Sequence, residues 1–195
     1  MNLDTQTWSI LAGVAILALI VVGVCLVYRR TQSTKRLKQR FGPEYTRAVG
    51  DLGSRAKAES ELKAREVRVD KLEIVPLSVP EAARFSQAWQ ALQGRFVDNP
   101  KGVLIEADQL VRDLMLKRGY PMADFEHRAA DISVDHPTVV EHYRGAQATA
   151  LRDQRGEADT EELRKAVVHY RVLFQELLQV SESQRVPRGQ LEVHV

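Results

Sequence analysis

Residues 10–28, ILAGVAILALIVVGVCLVY, carry no charged side chain. No other feature constrains the fold of this chain as strongly. At about 1.5 Å per residue, a helix of that length covers roughly 28 Å, close to the hydrocarbon thickness of a bilayer. A helix also pairs its backbone polar groups internally, as lipid requires. Trp8 and Tyr28 bracket the run where interfacial aromatics are expected. The run predicts a transmembrane helix. A cleaved secretory signal is the competing reading, and it needs positive charge ahead of the apolar core. Here the first 28 residues hold no Lys or Arg, only Asp4. The basic residues Arg29, Arg30, Lys35, Arg36, Lys38 and Arg40 all follow the run. Flanking positive charge stays on the cytoplasmic side, so the expectation is a single-pass cell-membrane protein with a cytoplasmic C-terminal domain. Residues 1–9 would form a short extracytoplasmic N-terminus. Cys25, the one cysteine, lies inside the apolar run, so internal disulfides and CxxC zinc sites are excluded.

Charge divides the rest. Residues 29–71 hold 13 Lys/Arg against 6 Asp/Glu, whereas residues 72–195 hold 15 against 19. A basic segment beside a bilayer is drawn to anionic lipid. Arg29, Arg30, Lys35, Arg36, Lys38 and Arg40 are the candidate lipid contacts, making membrane lipid the first expected partner. Nucleic acid is disfavoured, because no aromatic interleaving and no DNA-binding motif accompanies the charge. The apolar positions Val49, Leu52, Ala56, Leu62 and Val69 are sparse. They predict a charged helical stalk, with a short heptad-like run, that contributes little to a core. A strand around residues 67–74 would lack a partner. Pro76 interrupts any continuous helix.

The remainder predicts an all-α protein: membrane helix, charged stalk, then a compact domain of about five helices within residues 72–180. Ser78 and Glu81 form a capping box. Phe85, Trp89, Leu92 and Phe96 then share one helical face. Lys101 to Arg118 reads as the next helix, stopped by Gly119. A short helix follows Pro121, another spans residues 138–152, and a second capping box, Asp159 to Glu162, opens the last helix. That helix carries the stripe Leu163, Val167, Tyr170, Phe174 and Leu177 and runs to about residue 180. Residues 181–195 are expected to form a loose tail.

Titratable groups concentrate between residues 124 and 142. The candidates for any metal or acid–base site are His127, Asp131, Asp135, His136 and His142. His127 and Asp131 are i,i+4 and could meet on one helical face. Asp135, ahead of Pro137, fits a helix cap. No HExxH pair, P-loop, nucleophile elbow or dinucleotide glycine pattern occurs, so no catalytic residue, metal or cofactor is expected. His169 would need a second group from the 127–142 region to act as a ligand.

Two stretches, RFGPEYTRAV (residues 40–49) and RGYPMADFEHRAADISVDHPTVVEHYR (residues 118–144), carry a resemblance. With the membrane helix and the RVLFQELL ending, the chain resembles a family of uncharacterised bacterial single-pass membrane proteins, often labelled hypothetical or secreted. The resemblance covers most of residues 8–180 and implies no activity, cofactor or catalytic residue. The leading functional expectation is a membrane-tethered cytoplasmic interaction or scaffold module with an unidentified protein partner. The alternatives are a regulatory protein sensing anionic lipid through its basic stalk, and a metal-binding or enzymatic domain using the 124–142 stretch. Homo-oligomerisation is left open.

Overall fold

The computed structural model describes the backbone of residues 5–183 and the side chains of residues 15–178. Eight helices and no strand occur among the described residues. The first, α1 (Thr5–Phe41), is 37 residues long and so extends about 55 Å. It is long and apolar enough to cross a membrane. From Ala15 to Tyr28 each side chain is exposed, including Ile16, Leu17, Leu19 and Ile20. The helix does not end with the apolar run. It continues about 20 Å past Tyr28, and its last turns become part of a folded unit.

That unit corrects the expectation of a stalk with little core. Phe41 leads through Gly42 into α2 (Pro43–Leu52), and Gly53, in the left-handed region at φ 62°, turns the chain into α3 (Arg55–Val69). Leu37, Phe41, Tyr45, Ala48, Ala58, Leu62 and Val69 are buried together. The helices are helical and charged as the composition predicts. Their few apolar residues nonetheless fall on facing stripes, because α2 runs antiparallel to α3, and α3 lies parallel to the end of α1. The pairs Thr34–Glu59 and Arg40–Glu66 fix the parallel register. Val134, from α6 in the head, completes this core.

The head contains α4 (Val79–Gly94), α5 (Pro100–Lys117), α6 (Phe125–Asp135), α7 (Val140–Gln154) and α8 (Thr160–Ser183). Both capping boxes form. Ser78 and Glu81 cap α4 reciprocally, and the Asp159 amide donates to Glu162 while the Glu162 amide donates to Asp159. The long stripe on α8 is the centre of the head: Leu163, Val167, Tyr170, Phe174 and Leu177 are all buried. Trp89 stacks on Phe174 with ring centroids 4.6 Å apart, and α5 adds Val103, Leu104, Ala107, Val111 and Leu114. Residues 70–78 cross between the two units, with Leu72 and Ile74 touching both cores. Gly119 permits this crossing. It adopts φ 94°, and a Cβ there would collide with the Glu73 carbonyl oxygen. The Val75 amide donates to the Arg118 carbonyl one residue earlier. Beyond Ser183 the expected tail lies outside the described residues; residues 181–183 continue α8.

Candidate functional site

The five titratable candidates do not converge. His127 is exposed and bonds Asp124, the N-cap of α6, at 2.7 Å. Asp131 is buried and accepts from the Arg68 guanidinium at 2.8 Å. The pairing of His127 with Asp131 is therefore corrected: they are drawn to opposite ends of a charge pattern set by Asp124 and Arg68. Asp135 is not a cap. It ends α6 and sits 3.8 Å from Arg40. The chain needs four further residues before α7 starts, at Val140 rather than residue 138. His136 is buried against Glu176 at 3.2 Å. Among the described residues no group of three or more His, Cys, Asp or Glu is placed to hold a metal ion.

His142 does meet a partner that lies outside that stretch. Its Nδ1 lies 2.8 Å from Nδ1 of His169, across the α7–α8 seam. One ring donates and the other must present a bare nitrogen, so the pair cannot hold both rings doubly protonated. Burial first, and His142 second, push His169 below its ordinary value.

Charge is instead concentrated where the juxtamembrane helices meet the head. Glu44, only 1% exposed, accepts from Arg65 at 2.9 Å and from Arg144 at 3.0 Å. Arg144 also reaches Glu126 at 2.6 Å. Burial alone would lower the Arg144 guanidinium, but Glu44 and Glu126 outweigh it and raise it. Glu66, 7% exposed, is bonded by Arg36 and Arg40, and Arg40 continues to the Val134 carbonyl and Asp135. With Arg68–Asp131, these bonds clamp α1, α2 and α3 onto α6 and α7. Glu44 belongs to the GPEY stretch and Arg144 to the EHYR stretch, 100 residues on, and the two stretches meet here. Such clamps are sensitive to loss of one member, because the remaining charge stays buried.

The six expected lipid contacts split. Arg36 and Arg40 are committed to Glu66. Lys38 lies over the Tyr45 ring, 5.5 Å from its centroid. Arg30, Lys35 and Lys38 line a groove of about 760 Å³ between α1 and α3. Arg29 is exposed and does not line it. Two cations from α3, Arg55 and Lys63, also line the groove. Sequence reasoning missed them, although their i,i+8 spacing with Glu59 between was available as a signal.

A second groove, of about 650 Å³, lies on the head between α4 and α5. Phe85, Ala88, Ala91 and Leu110 give it an apolar floor, and Glu81, Arg84, Asp113 and Lys117 form a mixed-charge rim. Lys117, then Ser78, hold the Glu81 carboxyl down at about 2. Comparison with protein-family models, curated proteins and solved structures finds no match.

Proposed function

We propose that this protein is a membrane-tethered interaction module of the cell membrane, with its helical head on the cytoplasmic side. The orientation rests on the distribution of basic residues about the apolar run. The observation that carries the functional reading is the clamp at Glu44, Arg65 and Arg144 together with the second core. A protein that merely kept a domain near the membrane would need only a loose linker. Here the membrane helix continues directly into a folded unit bonded to the head. The head is thus presented at a set position relative to the bilayer. The α4–α5 groove, apolar at its floor and mixed in charge at its rim, is the head surface suited to a helical or extended protein segment.

The test is in-cell crosslinking and co-purification of the full-length protein beside an Ala88→Arg/Ala91→Arg variant. Both alanines are exposed in the groove, so arginine there blocks it without disturbing the core. A partner captured by the native chain and lost from the variant supports the reading. A partner kept by the variant, or no captured partner, contradicts it.

A further inference from the structure

Cations that are not tied to carboxylates gather in the groove between α1 and α3. Arg36, Arg40, Arg65 and Arg68 are each tied to a carboxylate. Among the described residues, Arg30, Lys35, Arg55 and Lys63 form no ion pair, and all four face this groove with Lys38. The hydroxyls of Ser33 and Ser60 stand among them. The one carboxylate in the lining, Glu59, is already engaged, accepting from Thr34 Oγ1 at 2.8 Å and from the Tyr45 hydroxyl at 2.9 Å. Thr31 donates to the Val27 carbonyl, so five cations and the hydroxyls of Ser33 and Ser60 face the groove with a single carboxylate, Glu59, among them.

The position of the groove follows from helix lengths. Ten residues of α2 run back about 15 Å, which returns the Gly53–Ser54 turn to the level of Thr31 on α1. Thr31 is about 4.5 Å beyond Tyr28 along the helix. A bilayer's headgroup layer occupies roughly the first 5–7 Å outside the hydrocarbon. Arg30 and Arg55 thus stand at headgroup level on two different helices, while Lys35, Lys38 and Lys63 lie about 10–15 Å past Tyr28, on the side away from the bilayer. α3 also directs its N-terminus to this level, and Ser54 makes no side-chain cap there.

We propose that this groove is a binding site for a phosphate ester anion, presented by the headgroup of an anionic phospholipid in the membrane that α1 crosses. The inference rests on the membrane reading of α1. Phosphate is the matching chemistry, because it takes several charge-assisted hydrogen bonds from Arg and Lys and further bonds from hydroxyls. A diffuse basic surface would respond to total charge. A site responds to which cations are removed.

The experiment uses the full-length protein in a neutral detergent and counts bound lipid by native mass spectrometry. The probes are phosphatidylglycerol, phosphatidylcholine and soluble glycerol 1-phosphate. Arg30→Gln/Arg55→Gln removes the two groove cations at headgroup level. Arg29→Gln/Lys57→Gln removes the same charge from exposed positions of similar height outside the groove. The expected result is preferential binding of phosphatidylglycerol, weakened by at least about tenfold in the first variant and less than about twofold in the second. Circular dichroism confirms that both variants fold. Equal weakening in the two variants, or no preference over phosphatidylcholine, would overturn the site. Glycerol phosphate bound as tightly as the lipid would overturn the lipid assignment in favour of a soluble phosphate ester. The membrane reading is tested separately by alkaline extraction of cell membranes. Release of the protein there would defeat the membrane span, whatever the detergent titration reads.

Discussion

The two cores of this protein are built by different means. The head core is the larger, with α8 packed against α5 and α7 and a Trp89–Phe174 stack at one end. Its buried guanidinium groups, Arg118 and Arg128, bond to carbonyls and the Tyr143 hydroxyl and, among the described residues, to no carboxylate. The juxtamembrane core is smaller, and charge is built into it. Glu66 occupies a position on α3 between Leu62 and Val69 where the helical period calls for an apolar residue, and Glu44 is buried beside Tyr45. Each of these carboxylates is held by two arginines. The contrast separates stability from specificity. Apolar packing tolerates small shifts, whereas the charge of a buried carboxylate is offset only when its arginines arrive in place. The head is the unit that supplies hydrophobic stability. The junction is the unit that determines how α1 and the head sit together.

The contrast can be broken most strongly at its centre. Glu44→Gln removes the charge that Arg65 and Arg144 share, leaving them only Glu61 and Glu126, and is expected to destabilise the docked arrangement by about 3 kcal/mol. Hydrogen exchange should rise in α2, α3 and the start of α7, while α5 and the α8 core remain protected. A uniform rise would mean that the two cores are one cooperative unit. Core truncations sharpen the same point. Leu62→Ala and Leu114→Ala remove equal side chains from fully buried positions, each at a cost of about 2–5 kcal/mol. Denaturation followed by hydrogen exchange should place the first loss in the juxtamembrane unit and the second in the head.

A smaller effect concerns pH. His169 titrates below its ordinary value of 6.5 in the folded head, so the native state binds fewer protons than the unfolded chain near that pH. Its contribution is fully present above about pH 6.5 and is lost as pH falls through the folded value. Melting curves between pH 7 and pH 5 should show falling head stability, with a shallower slope in His169→Gln. An unchanged slope would remove the His142–His169 pair from the account. The smallest effect is expected at Arg95 and Glu106, both about half exposed. Replacing either by Ala should cost under about 1 kcal/mol.

How much of this was legible depended on which residues carried the contacts. Phe85, Trp89 and Leu92, and the α8 stripe, repeat at helical spacing, so the head helices were readable from their apolar faces. The capping boxes at Ser78 and Asp159 are local and equally readable. The juxtamembrane fold was not. Its apolar residues are too few per helix to mark a face, and Glu44 and Glu66 look like solvent-facing residues until their arginines are found up to 100 residues away. The candidate cluster failed for the same reason. His127 and Asp131 share a helix, but Asp131 is claimed by Arg68 from α3, and His142 by His169 from α8. Closeness in sequence is a weak guide where tertiary charge pairs compete for each member.

The most direct measurement is a pulsed electron–electron distance between spin labels on α3 and α8 of the full-length protein. Lys57→Cys and Lys165→Cys in a Cys25→Ser background place both labels at exposed positions. A single narrow distance distribution, broadened when Glu44→Gln is added, is the expected result. A broad distribution in the chain with Glu44 intact would contradict a head fixed to the juxtamembrane helices.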